Sequence, residues 1–213
     1  MGFARGAALV LTLAALGLSA CGGGAGPAAE TAIPLKEQML EPGPLGEREY
    51  GNRNAPVTII EYASLTCPHC RNYHAKVFPK VKRQYVDTGK VRYIIREFPI
   101  GRSAGTAAIA TRCAPKAKYL PMTEAFLSRQ REWVSQEVRP DAIYSVAKSS
   151  GMSRAEFDKC LSNQAIIDGL TEVKQRGRKY GVIGTPTLFI NGQKLQGEVT
   201  FEEVKALIQP QAS

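Results

Sequence analysis

The spacing of apolar and polar residues changes several times along the chain, and each change predicts a different element. Residues 1–20 hold a single charge, Arg5, before an apolar run from Ala7 to Leu18. Those 12 residues are too few to cross a bilayer as a helix and fit the apolar segment of a secretory signal peptide. Gly22 to Gly46 holds six Gly and four Pro among 25 residues with little apolar content, which predicts a flexible tether over 21–47. Val57-Thr58-Ile59-Ile60-Glu61-Tyr62 is short and β-branched, bounded by Pro56 and Ser64, and reads as a buried strand. Tyr73, Val77, Val81 and Tyr85 recur every four residues and make one helix face, with Pro79 set to kink the helix and Gly89 to end it. Lys90 to Phe98 reads as a second strand stopped by Pro99. A strand, a helix and a strand in so short a stretch form a βαβ unit and imply a parallel pair.

Residues 103–181 carry helical spacing and no convincing strand. Ser153 with Glu156 forms a capping box ahead of Phe157 and Leu161, and Ile166, Ile167, Leu170 and Val173 keep a 3–4 spacing. Thr187-Leu188-Phe189-Ile190, Asn191-Gly192 and Gln193-Lys194-Leu195 read as a hairpin, since Asn-Gly is a strong turn signal. Thr200 with Glu203 opens a last helix through Val204, Leu207 and Ile208. No internal repeat is present.

Composition narrows the class. At 213 residues, 44% hydrophobic and 22% charged, the chain has the make-up of a folded domain. Five cysteines are too few for a small disulfide framework. The net charge of +9 favours acidic partners or anionic head groups. The basic residues are dispersed, however, and the densest run, Lys174 to Lys179, lies on helical spacing. That makes a solvated helix face, and no nucleic-acid partner is expected.

Leu18-Ser19-Ala20-Cys21 resembles a bacterial lipobox, in which Cys21 becomes the lipidated first residue of the mature chain. Leu18 argues against ordinary cleavage, because a small residue is expected three places before the cut. Four thiols then remain, Cys67, Cys70, Cys113 and Cys160, and an even number in an oxidising compartment points to pairing.

The chemistry concentrates at Cys67-Pro68-His69-Cys70, directly after the first strand and at the start of the first helix. A helix start offers unsatisfied N–H groups and the positive end of the helix dipole, so a thiolate at Cys67 is stabilised there. Pro68 fits the first helical position, and His69, protonated or donating, adds stabilisation. Cys67 is the expected exposed nucleophile and Cys70 the buried resolver. A static bridge would not need a thiolate-stabilising helix start. A zinc site needs two further ligands, and the chain offers only His74 one turn beyond Cys70, with no second CxxC. No metal and no cofactor are expected. Glu61, six residues before Cys67 in an apolar strand, is a costly buried carboxylate unless it has a task or a partner, such as Arg96 on the neighbouring strand.

Together with the Pro-kinked helix, the helical insertion and the late Gly184-Thr185-Pro186-Thr187, this motif resembles the DsbA family of thioredoxin-fold oxidoreductases over residues 48–209. Arg96-Glu97-Phe98-Pro99 resembles the subgroup whose domain directly follows a short tether. The resemblance implies an α/β thioredoxin-like fold with an inserted all-helical subdomain. The domain would comprise 48–102 and 182–213, with the insertion at 103–181, the signal peptide at 1–20 and the tether at 21–47. It implies a cis Pro186 facing the active site, with Thr185 pairing its backbone to an extended substrate; oxidising members often carry Val at that place. It implies that Glu61 assists proton transfer to the resolving thiol, and that Cys113 and Cys160 form a second disulfide in the helical part, the alternative being two buried thiols. The implied activity is periplasmic thiol–disulfide exchange that introduces disulfides into reduced secreted proteins. The implied protein is a monomer lipid-anchored to a bacterial membrane and reoxidised by a quinone-linked membrane thiol oxidase. The alternatives are a dedicated reductase or isomerase on the same fold, or a metal-handling lipoprotein.

Overall fold

The apolar run at 57–63 becomes the middle strand of a five-stranded mixed sheet among the described residues. The computed structural model describes residues 1–2 and 35–209. The signal segment, Cys21 and the tether through residue 34 lie outside the described residues. In chain order the elements are α1 Leu35–Leu40, β1 Arg48–Tyr50, β2 Val57–Ala63, α2 Pro68–Lys76, α3 Phe78–Val81, a π-helical turn Lys82–Val86, β3 Val91–Glu97, α4 Arg102–Cys113, α5 Lys116–Ser128, α6 Gln130–Trp133, α7 Pro140–Ser149, α8 Arg154–Leu161, α9 Gln164–Lys179, β4 Thr187–Ile190, β5 Gln193–Gln196 and α10 Phe201–Ile208. The strand order is β1-β3-β2-β4-β5, with β2 and β3 parallel and the other pairs antiparallel.

Both sheet faces are covered, which explains why β2 and β3 read as continuous apolar runs. Val57, Ile59 and Tyr93 face Phe78, Val81, Val204 and Ile208 on one side. Ile60, Tyr62, Ile94 and Phe189 face Met39, Val173 and Val182 on the other. A third core lies among the helices, where Phe126, Trp133, Ile143, Val146 and Phe157 pack together with Leu65 and Cys70. The apolar content of the helical segment therefore closes directly over Cys70.

Local signals place the ends of elements. The first helix breaks at Val77, and Pro79 sits within the first turn of α3, where its missing N–H costs nothing. The π-helical turn after α3 ends near Gly89, whose φ is +77°. Asn191 (φ 46°) and Gly192 (φ 90°) turn the β4–β5 hairpin, as Asn-Gly predicts. Both capping boxes, Ser153–Glu156 and Thr200–Glu203, form reciprocally.

The second half of the expected tether is not free. Met39 of α1 is 2% exposed in the core, and buried Arg96 holds Glu47 at 2.8 Å and the Glu41 carbonyl at 3.2 Å. Arg112 makes a two-point bond to Glu97 and donates to the Gly46 carbonyl at 3.0 Å. The Tyr119 hydroxyl donates to the same Glu97 at 2.7 Å. Composition registered the Gly and Pro of this stretch; two buried arginines supply the donors that fix its backbone. β1 follows it as a short edge strand that sequence reading missed.

Candidate active site

The turn between β2 and α2 builds the site. Cys67 is the N-cap residue of α2, in extended conformation, and Pro68 takes the first helical position. Gln130 of α6 locks this turn: its side-chain amide donates to the carbonyls of Leu65 (2.8 Å) and Cys67 (2.9 Å). The helical segment thus holds the reactive turn through a residue that carried no sequence signal. Cys67 is partly exposed and Cys70 fully buried, both as free cysteines.

The Thr185–Pro186 peptide bond is cis, and the Thr185 carbonyl accepts from the Cys67 thiol at 3.0 Å. Loop and helix start therefore meet at the reactive sulfur. The Thr185 hydroxyl is buried beside the same sulfur.

The two cysteines are electrostatically opposite. The Cys70 thiol, donating to Cys67, is the largest influence that lowers the Cys67 pKa to about 5. Burial works against it, and the Thr185 side chain and the backbone N–H groups of Cys70 and His69 add to it. Burial first, then the bond to Cys67 and the charges of Cys67 and Glu61, push the Cys70 thiol well above its ordinary value. His69 is exposed at this turn, and its backbone N–H is among the groups that lower the Cys67 pKa.

Glu61 is fully buried on β2, but its partner is not Arg96. His74, four residues after Cys70, places Nε2 3.1 Å from both carboxylate oxygens, and the Tyr93 hydroxyl donates to Oε2 at 2.8 Å. Arg96 turns away because residues of the sheet alternate in direction: Glu61 sits with Tyr93, while Arg96 lies against Tyr62 and Glu47 on the other face. His74 Nδ1 is buried with no partner. The i, i+4 spacing of Cys70 and His74 on the helix was the signal that would have found this contact.

Cys113 and Cys160 are disulfide-bonded, tying the end of α4 to α8 far along the chain from the Cys67 turn. Among the described residues no group of three or more His, Cys, Asp or Glu side chains is placed to hold a metal ion. No helix there is long and apolar enough to cross a membrane.

Apart from Met1, three large apolar side chains are exposed among the described residues: Ile100 (48%), Val134 (37%) and Ile183 (81%). All three belong to segments that touch the reactive turn. The Ile100 carbonyl accepts from Thr66, Val134 follows the α6 turn that holds Cys67, and Ile183 lies two residues before Thr185.

A family profile described as thioredoxin matches residues 45–210. A Rickettsia typhi protein named among the protein-disulfide oxidoreductases is 33% identical over 146 residues, covering 67% of this chain and 53% of its own length. Disulfide bond formation protein D of Bacillus subtilis is 22% identical over 174 residues, covering 79% of this chain and 78% of its own. The crystal structure of Wolbachia pipientis alpha-DsbA1 superposes with a TM-score of 0.75 at 28% identity, covering 83% of this chain and 96% of that one. The chain spans about half the length of the Rickettsia relatives it matches.

Proposed function

The chain belongs to the thioredoxin family, in its DsbA-like branch, and from that premise we propose that it oxidises reduced secreted proteins through Cys67 and Cys70. The observation that carries this reading is the asymmetry of the pair: a Cys67 thiolate held near pKa 5 over a buried, protonated Cys70. In the oxidised protein, a substrate thiolate attacks Cys67 Sγ; the Cys67–Cys70 bond breaks, and Cys70 leaves with the electron pair and takes up a proton. A second substrate thiolate attacks the substrate sulfur of the mixed disulfide. Cys67 leaves as a thiolate, the substrate gains a disulfide, and the protein holds two electrons. A low-pKa sulfur leaves fast, so the second step is favoured at Cys67.

Glu61 is the group through which Cys70 gains or loses its proton, and His74 and Tyr93 fix that carboxylate in place. Thr185 offers its backbone to an extended substrate beside Pro186. Ile100, Val134 and Ile183 supply apolar contact for unfolded segments. The disulfide Cys113–Cys160 serves stability. The two electrons pass to a membrane quinone-linked thiol oxidase. The protein acts as a monomer in the periplasm, anchored by lipid on Cys21; loss of labelled palmitate incorporation in Cys21→Ser tests the anchor.

The deciding experiment is the equilibrium of the Cys67–Cys70 pair with glutathione, using protein that begins at residue 35. A potential near about −120 mV supports an oxidase, and one near about −270 mV makes the protein a dedicated reductase. Cys67→Ser is expected to abolish exchange and Cys70→Ser to trap mixed disulfides. Ordinary turnover by Cys70→Ser defeats the assignment.

A further inference from the structure

Beside the loop that brings Ile100 to the Cys67 turn lies an open groove of about 490 Å³ between the start of α4 and α9. Its apolar lining comes from Ile109, Ile167 and Leu170, its charge from Arg102, Lys174 and Arg178, and no carboxylate lines it. Lys174 is committed: Nζ donates to the Pro99 carbonyl at 2.6 Å and lies 5.5 Å from the centre of the Phe98 ring. Burial and the Arg178 charge both push its pKa down, the mark of cations crowded without an acid. Arg102 and Arg178 have no side-chain hydrogen bond or ion pair among the described residues. Arg176, two residues earlier on α9, shows the contrast, for it pairs with Glu172 at 2.7 Å.

The groove is joined to the Cys67 turn through Ile100. Pro99 and Gly101 line it and flank Ile100, whose N–H is held by Ser64 and whose carbonyl is held by Thr66, next to Cys67. A segment a few residues along an extended polypeptide from a cysteine bound at Cys67 is therefore the part of a substrate nearest the groove.

We propose that this groove docks an acidic stretch of the polypeptide whose cysteine reacts at Cys67. An apolar side chain rests on Ile109, Ile167 and Leu170, and neighbouring Asp or Glu carboxylates meet Arg102 and Arg178. The site rests on the thiol–disulfide reading above and adds a sequence preference to it. Three cations around an apolar lining suit an amphipathic acidic segment better than a nucleic-acid backbone, which asks for a longer track of charge.

Three single-cysteine peptides test this, carrying Asp-Leu-Asp, Lys-Leu-Lys or Ser-Leu-Ser about four residues from the cysteine. The rate of mixed-disulfide formation with the oxidised protein is followed at low salt. Comparing protein variants on one peptide cancels the peptide's own thiol pKa. Arg102→Gln with Arg178→Gln is expected to slow the Asp peptide about fivefold and leave the Ser peptide unchanged, the loss vanishing in about 0.5 M salt. Arg83→Gln with Lys148→Gln removes the same charge from exposed positions elsewhere and is expected to change neither. Gly105→Leu is a second, uncharged probe. Gly105 lies on α4 in the groove with nothing within 4 Å of an added Cβ, so the side chain fills the groove without straining the helix. It is expected to slow the Asp peptide as well.

Equal loss in the control pair, or an unslowed Asp peptide in Gly105→Leu, overturns the proposal. So does unchanged exchange accompanied by lost binding to phosphatidylglycerol vesicles, which assigns the groove to lipid. Failure of wild-type protein to react with any of the three peptides refutes the redox reading instead.

Discussion

Acidification should remove the stability advantage that the reduced protein draws from its Cys67 thiolate. The perturbation is pH, and the magnitude follows from one group. Cys67 titrates near 5 in the fold against 9.0 for an ordinary thiol. A depressed folded pKa gives stability that is complete above the unfolded value and is lost as pH falls through the folded one. At pH 7 the unfolded thiol is protonated and the folded one ionised, so about two pH units of binding are realised, or about 2.7 kcal/mol at 1.36 kcal/mol per unit. Partial solvent access to the sulfur trims this to about 2 kcal/mol. At pH 4 almost nothing remains. The oxidised protein has no titrating Cys67 and shares the other surface carboxylates, so their pH effects cancel in the difference between the two forms. The assay is denaturant unfolding of reduced and oxidised protein from pH 4 to 8, with constant m-values checked first. The free-energy difference should shift by about 2 kcal/mol towards the oxidised form between pH 7 and pH 4. By linkage the same energy adds about 40–60 mV of oxidising power at pH 7. A difference that is flat from pH 7 to pH 4, or that shifts towards the reduced form, refutes the thiolate assignment.

Glu61→Gln keeps an acceptor for His74 and Tyr93, so the fold should lose no more than about 1–2 kcal/mol. Resolution of a preformed mixed disulfide by Cys70 should slow by about 10²-fold or more at neutral pH, read in single turnover; an unchanged rate removes Glu61 from the proton path. Arg112→Ala leaves Glu97 buried without its cation and should cost about 3–5 kcal/mol in chemical denaturation. It should also open residues 41–47 to limited proteolysis, because Arg112 holds the Gly46 carbonyl. Replacing Cys113 and Cys160 together by Ala opens a crosslink spanning 47 positions and should cost about 4 kcal/mol of stability, with the glutathione equilibrium of Cys67–Cys70 unmoved; a shifted equilibrium would give the second disulfide a redox role.

Much of the fold was legible because its signals are local. β2, β3, the Asn-Gly hairpin and both capping boxes follow from residues within one or two turns of each other. The place of Cys67 at a helix start and its depressed pKa were legible for the same reason, since they need only the strand before it and the helix after it. What stayed hidden depends on distant partners. Residues 41–47 look like linker until Arg96 and Arg112, more than 45 positions on, supply their hydrogen bonds. Gln130 is one glutamine among several in the sequence, and only folding brings it to the carbonyls of Leu65 and Cys67. Arg96 looked like the partner of Glu61 because the two strands are neighbours. The register settles it: Glu61 pairs with Ile95 and Tyr62 with Arg96, which puts the arginine beside Tyr62 on the opposite face.

Burial and one hydrogen bond set the proton chemistry of the cysteine pair. The Cys70 thiol donates to Cys67; that bond is the chief cause that lowers Cys67, while burial first and then the same bond raise Cys70. Between about pH 5 and the high pKa of Cys70, two-electron reduction of the disulfide therefore consumes one proton, which ends on Cys70. The potential should fall by about 30 mV per pH unit in that range and about twice as steeply below pH 5, since a tenfold change in equilibrium is worth about 30 mV for two electrons. That single proton must cross a site closed by the helical core around Leu65, Phe126 and Trp133. On the proposed reading Glu61, whose charge is felt by Cys70, carries that proton, and the rate test of Glu61→Gln above decides it. His74 and Tyr93 lower the cost of holding that carboxylate in an apolar strand, and the break between the two slopes measures where Cys67 takes over the charge.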